Sequence, residues 1–145
     1  MTELSIQITL EPGAKAPAYG RPGDAGADLT STTDAFLSPH STVMVPTGVR
    51  VAVPEGYALF IHPRSGLAAK QGLTVLNAPG TVDAGYRGEV MVLLHNTTGD
   101  AVTVPAGTRI AQAVVQKVEQ VRWEIAQSLD DTERGEGGFG STGTD

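Results

Sequence analysis

The 145-residue sequence has no cysteine, few aromatic residues, no long apolar run and no excess of basic residues. The lack of cysteine excludes disulfides and thiolate metal sites and favours a reducing, cytoplasmic location. Nothing at the N-terminus resembles a signal peptide and no segment could span a bilayer, so no membrane partner is expected. The formal net charge of −6 argues against nonspecific nucleic-acid binding, which requires a basic surface.

The residues that are abundant favour a compact β protein. Hydrophobic residues make up 40% of the chain, which is typical of a globular protein, and the length fits one domain. The sequence has 18 glycines and 9 prolines but only 5% aromatic residues, a balance that favours short strands and tight turns over long helices.

Alternating polar and apolar residues predict strands along most of the chain. The first is a half-buried strand over residues 5–10, and similar patterns cover 42–45, 49–53, 58–61, 90–94, 101–104 and 110–118. Three VPxG sequences, at 45–48, 53–56 and 104–107, predict β-turns with proline at the second position. This pattern predicts an all-β jelly roll or barrel.

Two segments depart from the strand pattern. Residues 65–72 predict one short helix with Ser65 as N-cap and Gly72 at the C-terminal end. The apolar pattern stops near residue 129. We therefore expect a core over residues 1–129 and a flexible, glycine-rich C-terminal arm over 130–145.

The sequence PRSGLA at 63–68 is a candidate phosphate site. The first turn of the predicted helix offers free N–H groups, Ser65 adds a hydroxyl, and Arg64 adds a planar fork of donors that suits phosphate oxygens. The alternative is an ordinary capped turn with an exposed arginine.

The sequence NAPGTVDAGYRGEV at 77–90 is a candidate nucleoside site on a hairpin. Asp83 would be a base, Asn77 offers a donor and an acceptor, and Tyr86 offers a flat wall. Considered alone, Asp83 is better explained as a turn-forming residue, and only its neighbours favour the base.

Weaker signals come from three further segments. Asp28 in AGADL is a candidate to hold Mg²⁺ through water, or else a solvated turn residue. Gln112 and Arg109 in RIAQAV would contact the ligand or only cap a sheet edge. In the tail, Arg134 adds charge and Phe139 offers a face on which a base can stack.

Together, AGADL, PRSGLA, GTVDAGYRGEV, RIAQAV and RGEGGFGSTG resemble the five motifs of the trimeric dUTPases, in the order and with the spacing of that family. The resemblance implies a distorted jelly roll with a flexible arm, and a homotrimer whose active sites are shared between subunits. It also implies Mg²⁺-dependent hydrolysis of dUTP to dUMP and pyrophosphate. That reaction would limit uracil incorporation into DNA and supply dUMP for dTMP synthesis.

The resemblance also implies roles for individual residues. Asp83 would be the general base, Tyr86 would pack on the deoxyribose, Phe139 would stack on uracil, and Asp28 would touch the water shell of Mg²⁺. The residues implied to read uracil are Asn77, Thr81, Val82 and Met91. The residues implied to contact phosphate are Arg64, Ser65, Gly66, Gln112, Arg134, Gly140, Ser141 and Thr142.

Two alternatives share this fold. A dCTP deaminase-like relative would usually carry glutamate in the catalytic region, whereas this chain has Asp83 with Tyr86. A non-catalytic nucleotide-sensing module would be expected to lack the base or the arm, and both are present here.

Overall fold

The computed structural model describes residues 3–140 and 142–143, within which it has eleven strands and one short helix. The all-β prediction with one short helix is therefore confirmed. In chain order the elements are β1 (Gln7–Leu10), β2 (Ala18–Tyr19), β3 (Ala27–Thr30), β4 (Ala35–Leu37), β5 (Thr42–Ala52), β6 (Tyr57–His62), α1 (Ser65–Gln71), β7 (Leu73–Val75), β8 (Gly80–Val82), β9 (Glu89–Asn96), β10 (Val102–Val104) and β11 (Arg109–Lys117).

Two main antiparallel sheets enclose the core. One has the strand order β1-β5-β9-β7, the other has the order β2-β3-β11-β6-β8, and β10 pairs with β4 in a third, two-stranded sheet. Buried residues of both main sheets form one cluster, because every second side chain of a strand points to the same face. Its fully buried members include Val45, Val92 and Leu94 from the first sheet and Leu29, Ile110 and Ala111 from the second.

Two of the three VPxG sequences form turns between strands, as predicted. The N–H of Tyr57 donates to Pro54 O at 3.1 Å, and the N–H of Thr108 donates to Pro105 O at 3.2 Å. Proline is therefore the first residue of each turn, not the second as predicted. Glycine occupies the third position with φ of 85° at Gly56 and 88° at Gly107, a conformation that other residues rarely adopt.

The third sequence, VPTG, is not a turn, and that prediction was wrong. Residues 45–48 lie within β5, where the register with β9 shifts between Pro46 and Arg50. The extra residues form a bulge that Thr47 stabilises from a fully buried position. Its hydroxyl donates to Val90 O at 2.6 Å and accepts the N–H of Val49 at 3.3 Å. The two predicted strands on either side are therefore one long strand.

The helix is found where it was predicted, but its N-terminus differs. Arg64 is the N-cap and Ser65 is the first helical residue, without a capping hydrogen bond from the Arg64 side chain. Gly72 ends the helix in the left-handed conformation, as predicted, and its N–H donates to Ala68 O and Leu67 O.

The predicted hairpin over residues 77–90 is not a hairpin. Strand β8 pairs with β6, whereas β9 pairs with β5 and β7. The segment between them, residues 83–88, therefore crosses from one main sheet to the other; we call it the β8–β9 connection. A sheet edge and a crossing chain together leave room for a cleft between them.

The chain leaves the sheets after β11. All residues from 119 to 136 are exposed, and they include Trp123 at 87% and Ile125 at 99% exposure. A single tryptophan in a β protein predicts packing on the sheet or in a subunit contact, and the exposure of Trp123 in the single chain excludes the first alternative. Within residues 3–140 and 142–143, no helix is long and apolar enough to span a membrane.

Candidate active site

A cleft of about 190 Å³ opens beside the β8–β9 connection. This is smaller than the roughly 300–1,000 Å³ of pockets that enclose drug-sized ligands, so the cleft suits a base with its sugar and not a whole triphosphate. Six residues expected to act in nucleoside binding or catalysis line it, namely Asn77, Thr81, Val82, Asp83, Tyr86 and Met91. Asp83 is exposed, so a water molecule can reach its carboxylate.

The β8–β9 connection is held by its own side chains and main chain. The N–H of Tyr86 donates to Asp83 O at 3.1 Å and closes a turn. Arg87 folds over that turn and donates to Ala84 O at 2.6 Å and Tyr86 O at 3.0 Å. Arg50 donates to Arg87 O at 3.2 Å and thereby ties the connection to β5. Arg87 was not predicted as a site residue; its sequence signal is only its place between Tyr86 and Gly88.

Tyr86 is fixed through the first residue of β9. Its hydroxyl donates to Glu89 O at 2.9 Å, and the Glu89 carboxylate accepts the N–H of Gly48 at 3.1 Å. Gly48 lies in the β5 bulge with a φ of 70°. The bulge therefore supports the aromatic wall of the cleft, a function that its sequence did not indicate.

A second cluster forms around Asp28, whose side chain is only 12% exposed. Its carboxylate lies 3.3 Å from Arg64 Nε and 3.5 Å from the guanidinium of Arg109. The amide of Gln112 donates to Asp28 Oδ1 at 3.4 Å, and Arg64 donates to Arg109 O at 3.3 Å. Arg64 Nε meets the distance of an ion pair but not the angle of a hydrogen bond, and within the described residues it is buried without a hydrogen-bond partner.

Sheet register brings these residues together. Gln112 on β11 is directly opposite Asp28 on β3 and His62 on β6. Directly opposed residues point to the same face with Cβ atoms about 4.5–5.5 Å apart, so the three form one row. Arg64 follows β6 and reaches back to this row, while Ser65 and Gly66 lie exposed at the start of α1. The cluster thus combines two cationic side chains, an amide and a carboxylate, which together suit a metal-bound phosphate chain.

The two groups of residues do not form one pocket within a single chain. The lining of the cleft contains none of Asp28, Arg64, Arg109 and Gln112. The arm is also absent from that lining, as far as its described residues extend. Arg134 donates to Gly137 O within the arm at 2.8 Å, and the ring of Phe139 is fully exposed. Gly140 and Thr142 are also exposed, and Ser141 lies outside the described residues.

The fit of Mg²⁺ can be judged from the donors around Asp28. Within the described residues, no group of three or more histidine, aspartate or glutamate side chains could hold a metal by itself. Mg²⁺ is commonly held by one or two carboxylates with waters and substrate phosphates. One carboxylate between two guanidinium groups fits a hydrated ion that arrives with the nucleotide, and not a resident ion in a protein cage.

Comparison with known proteins decides the family. The dUTPase family model matches residues 13–143. The chain belongs to the dUTPase family. It is 58% identical over 144 residues to the deoxyuridine 5'-triphosphate nucleotidohydrolase of Cutibacterium acnes, covering 99% of this chain and 94% of that protein. The corresponding protein of Thermobifida fusca is 56% identical over 135 residues, with coverage of 92% and 75%.

Solved structures of dUTPases share the fold. A mutant dUTPase of Staphylococcus bacteriophage 80alpha with dUpNHpp superposes with a TM-score of 0.90 at 26% identity, covering 97% of this chain and 99% of that one. This match confirms the predicted dUTPase-like fold class. The dUTPase of S. aureus phage phi11, described with a structural Mg(II) ion, has a TM-score of 0.80 at 23% identity, covering 87% and 99%, which bears on the fold alone.

Proposed function

We propose that this dUTPase-family protein hydrolyses dUTP to dUMP and pyrophosphate. The observation that carries the proposal is the cleft that gathers Asn77, Asp83 and Tyr86, together with a separate cationic cluster around Asp28. One part suits a nucleoside and the other suits a triphosphate. Family membership and relatives named for this activity support the same reaction.

The chemistry follows from the side chains of the cleft. Asp83 takes a proton from water, and the water oxygen bonds to the phosphorus of the first phosphate. The bond from that phosphorus to the oxygen that bridges to the second phosphate breaks, so that pyrophosphate leaves with the bridging oxygen. Arg64, Gln112 and the start of α1 hold the phosphates and offset their charge. Mg²⁺, when bound with the nucleotide, would neutralise further charge on the triphosphate. Asp28 would hold the water shell of that ion.

Base selectivity would come from the polar groups at the edge of the cleft. Uracil presents an N–H donor beside a carbonyl acceptor, and cytosine reverses this pattern. The amide of Asn77 and the main chain of Thr81, Val82 and Met91 would pair with uracil and remain unpaired with cytosine. Close approach of the main chain would exclude the thymine methyl group, and Tyr86 would exclude the ribose hydroxyl.

Comparison of four nucleotides as substrates tests the proposal directly. We expect kcat/KM for pyrophosphate release from dUTP to exceed that for dCTP, dTTP and UTP by at least about 10²-fold, the least that such contacts usually supply. Ammonia release from dCTP is followed in the same samples. Ammonia without pyrophosphate would show a deaminase and would contradict the proposal.

The active unit is proposed to be a homotrimer in the cytoplasm. One chain leaves the nucleoside cleft, the cationic cluster and the arm apart, so a complete site needs further copies. The single chain also exposes large apolar side chains, and such surfaces commonly mark contacts with a partner. They include Ile8, Leu10, Met44, Leu76, Val121, Trp123 and Ile125. Strand β1, predicted to be half-buried, is exposed along its length in the single chain. Light scattering should give three times the chain mass.

Asp28→Asn is expected to weaken the response to Mg²⁺. Residues that contact the ligands of a metal are typically worth about 10–100-fold in metal affinity. The Mg²⁺ concentration for half-maximal turnover should therefore rise by about that factor. Asp34→Asn is the matched control, because the Asp34 carboxylate accepts the N–H of Ala106 and asparagine can still do so. An unchanged Mg²⁺ response in Asp28→Asn would remove Asp28 from metal binding.

A further inference from the structure

Gly88 lies against the hydroxyl end of the Tyr86 ring. A Cβ atom placed on Gly88 would be 2.5 Å from Tyr86 Cζ and 2.8 Å from Cε1, and it would also collide with the phenol oxygen. Real Cβ contacts essentially never fall below 3.0 Å. Gly88 is not among the glycines with a positive φ, so its backbone does not require glycine. Close approach of the ring is therefore what requires the absence of a side chain at this position.

The ring cannot move aside without losing its anchor. Its hydroxyl donates to Glu89 O at 2.9 Å, and Glu89 is in turn bonded to Gly48 in the β5 bulge at 3.1 Å. The residue is 45% exposed and lines the cleft, so one part of its side chain contacts the main chain at Gly88 while another faces the ligand space. The position of the Tyr86 ring, which forms the wall of the cleft, thus depends on the absence of a side chain at Gly88.

We propose that Gly88 is a positioning residue that sets the sugar selectivity of the enzyme, an inference that rests on the proposed function. A ribonucleotide differs from its deoxy form by one hydroxyl group, and a yielding apolar pocket rejects an added hydroxyl by only about 10²-fold. A ring that lies against the main chain and is hydrogen-bonded at its far end can move only by giving up that hydrogen bond. Any side chain at position 88 would displace the ring and break its hydrogen bond to Glu89 O. The displaced ring would then leave space for the 2′-hydroxyl of a ribonucleotide.

The test compares two glycines of the same connection. Gly88→Ala should lower the ratio of kcat/KM for dUTP to kcat/KM for UTP by about tenfold or more. Gly85→Ala is the control, because a Cβ on Gly85 meets nothing within 4 Å and its φ is not positive. It should leave the ratio within about twofold of the wild type. In a Tyr86→Leu background, Gly88→Ala should no longer change the ratio, because there is no ring to displace.

A second measurement does not depend on activity. The chain has three tyrosines, so fluorotyrosine-labelled protein gives three ¹⁹F resonances, of which Tyr86→Phe identifies one. Gly88→Ala should shift that resonance and Gly85→Ala should not. An unmoved resonance, or a preserved selectivity ratio in Gly88→Ala beside an active wild type, would overturn the role of Gly88 alone. A wild type that leaves dUTP intact would overturn the proposed function and the selectivity role together.

Discussion

Asp83→Asn is expected to lower kcat for dUTP by about 10²–10⁴-fold, the usual contribution of a general base. The change keeps the size and planarity of the side chain and removes its capacity to take a proton from water. The turn that carries residue 83 should persist, because it is closed by the main-chain bond from Tyr86 N–H to Asp83 O and not by the carboxylate. Pyrophosphate release measures the loss.

Binding separates a lost base from a damaged cleft. The affinity for a non-hydrolysable dUTP analogue should stay within a few-fold of the wild type in Asp83→Asn, because Asn77 and Tyr86 still form the cleft. Asp100→Asn, in the exposed turn before β10, is the matched control and should keep full activity. Turnover near the wild-type rate in Asp83→Asn would exclude Asp83 as the base.

Local turn chemistry was predictable from the sequence, whereas strand pairing was not. The sequences at 53–56 and 104–107 each lead into a turn, one residue later than predicted, because the hydrogen bond and the positive φ of such a turn lie within four residues. The same pattern at 45–48 forms a bulge instead. The interaction that distinguishes this segment from the other two is remote in sequence: buried Thr47 donates a hydrogen bond to Val90 O on another strand. A window of four residues contains no information on that partner.

In the candidate site, too, the residue types were predictable from the sequence and the contacts between strands were not. The types of residue in the cleft indicated a nucleoside site, and the structure brings Asn77, Asp83 and Tyr86 to one cleft, while their roles stay predictions. The contacts among Asp28, Arg109 and Gln112 depend on the register between β3 and β11, which periodicity alone does not set. Arg109 therefore remained a weak candidate in the sequence although its guanidinium lies 3.5 Å from Asp28.

Deleting all residues after Glu133 is expected to leave a folded protein with severely reduced turnover. The core cluster contains none of the described residues after Glu133, so removal of the arm takes none of them from the core. The arm would supply Arg134 to the triphosphate and Phe139 to the base, and it would exclude water from the closed site. Stacking of one ring is worth roughly 1–3 kcal/mol, or about 5–150-fold, before the charge of Arg134 is counted. Phe139→Ala should lower turnover by this stacking contribution alone. Phe36→Ala, which changes an exposed phenylalanine on β4, should leave turnover unchanged.

Mixing two inactive variants tests whether the arm serves a neighbouring subunit. One variant lacks the arm and the other carries Asp83→Asn, and the two are unfolded and refolded together so that mixed trimers form. If the arm of one subunit closes over the cleft of another, some sites combine an intact Asp83 with an intact arm, and turnover returns. An arm that served only its own cleft would leave every site defective, because each chain lacks one of the two parts. Unrestored turnover in verified mixed trimers would therefore contradict the shared site, and wild-type turnover in the truncated variant alone would contradict the arm as a lid.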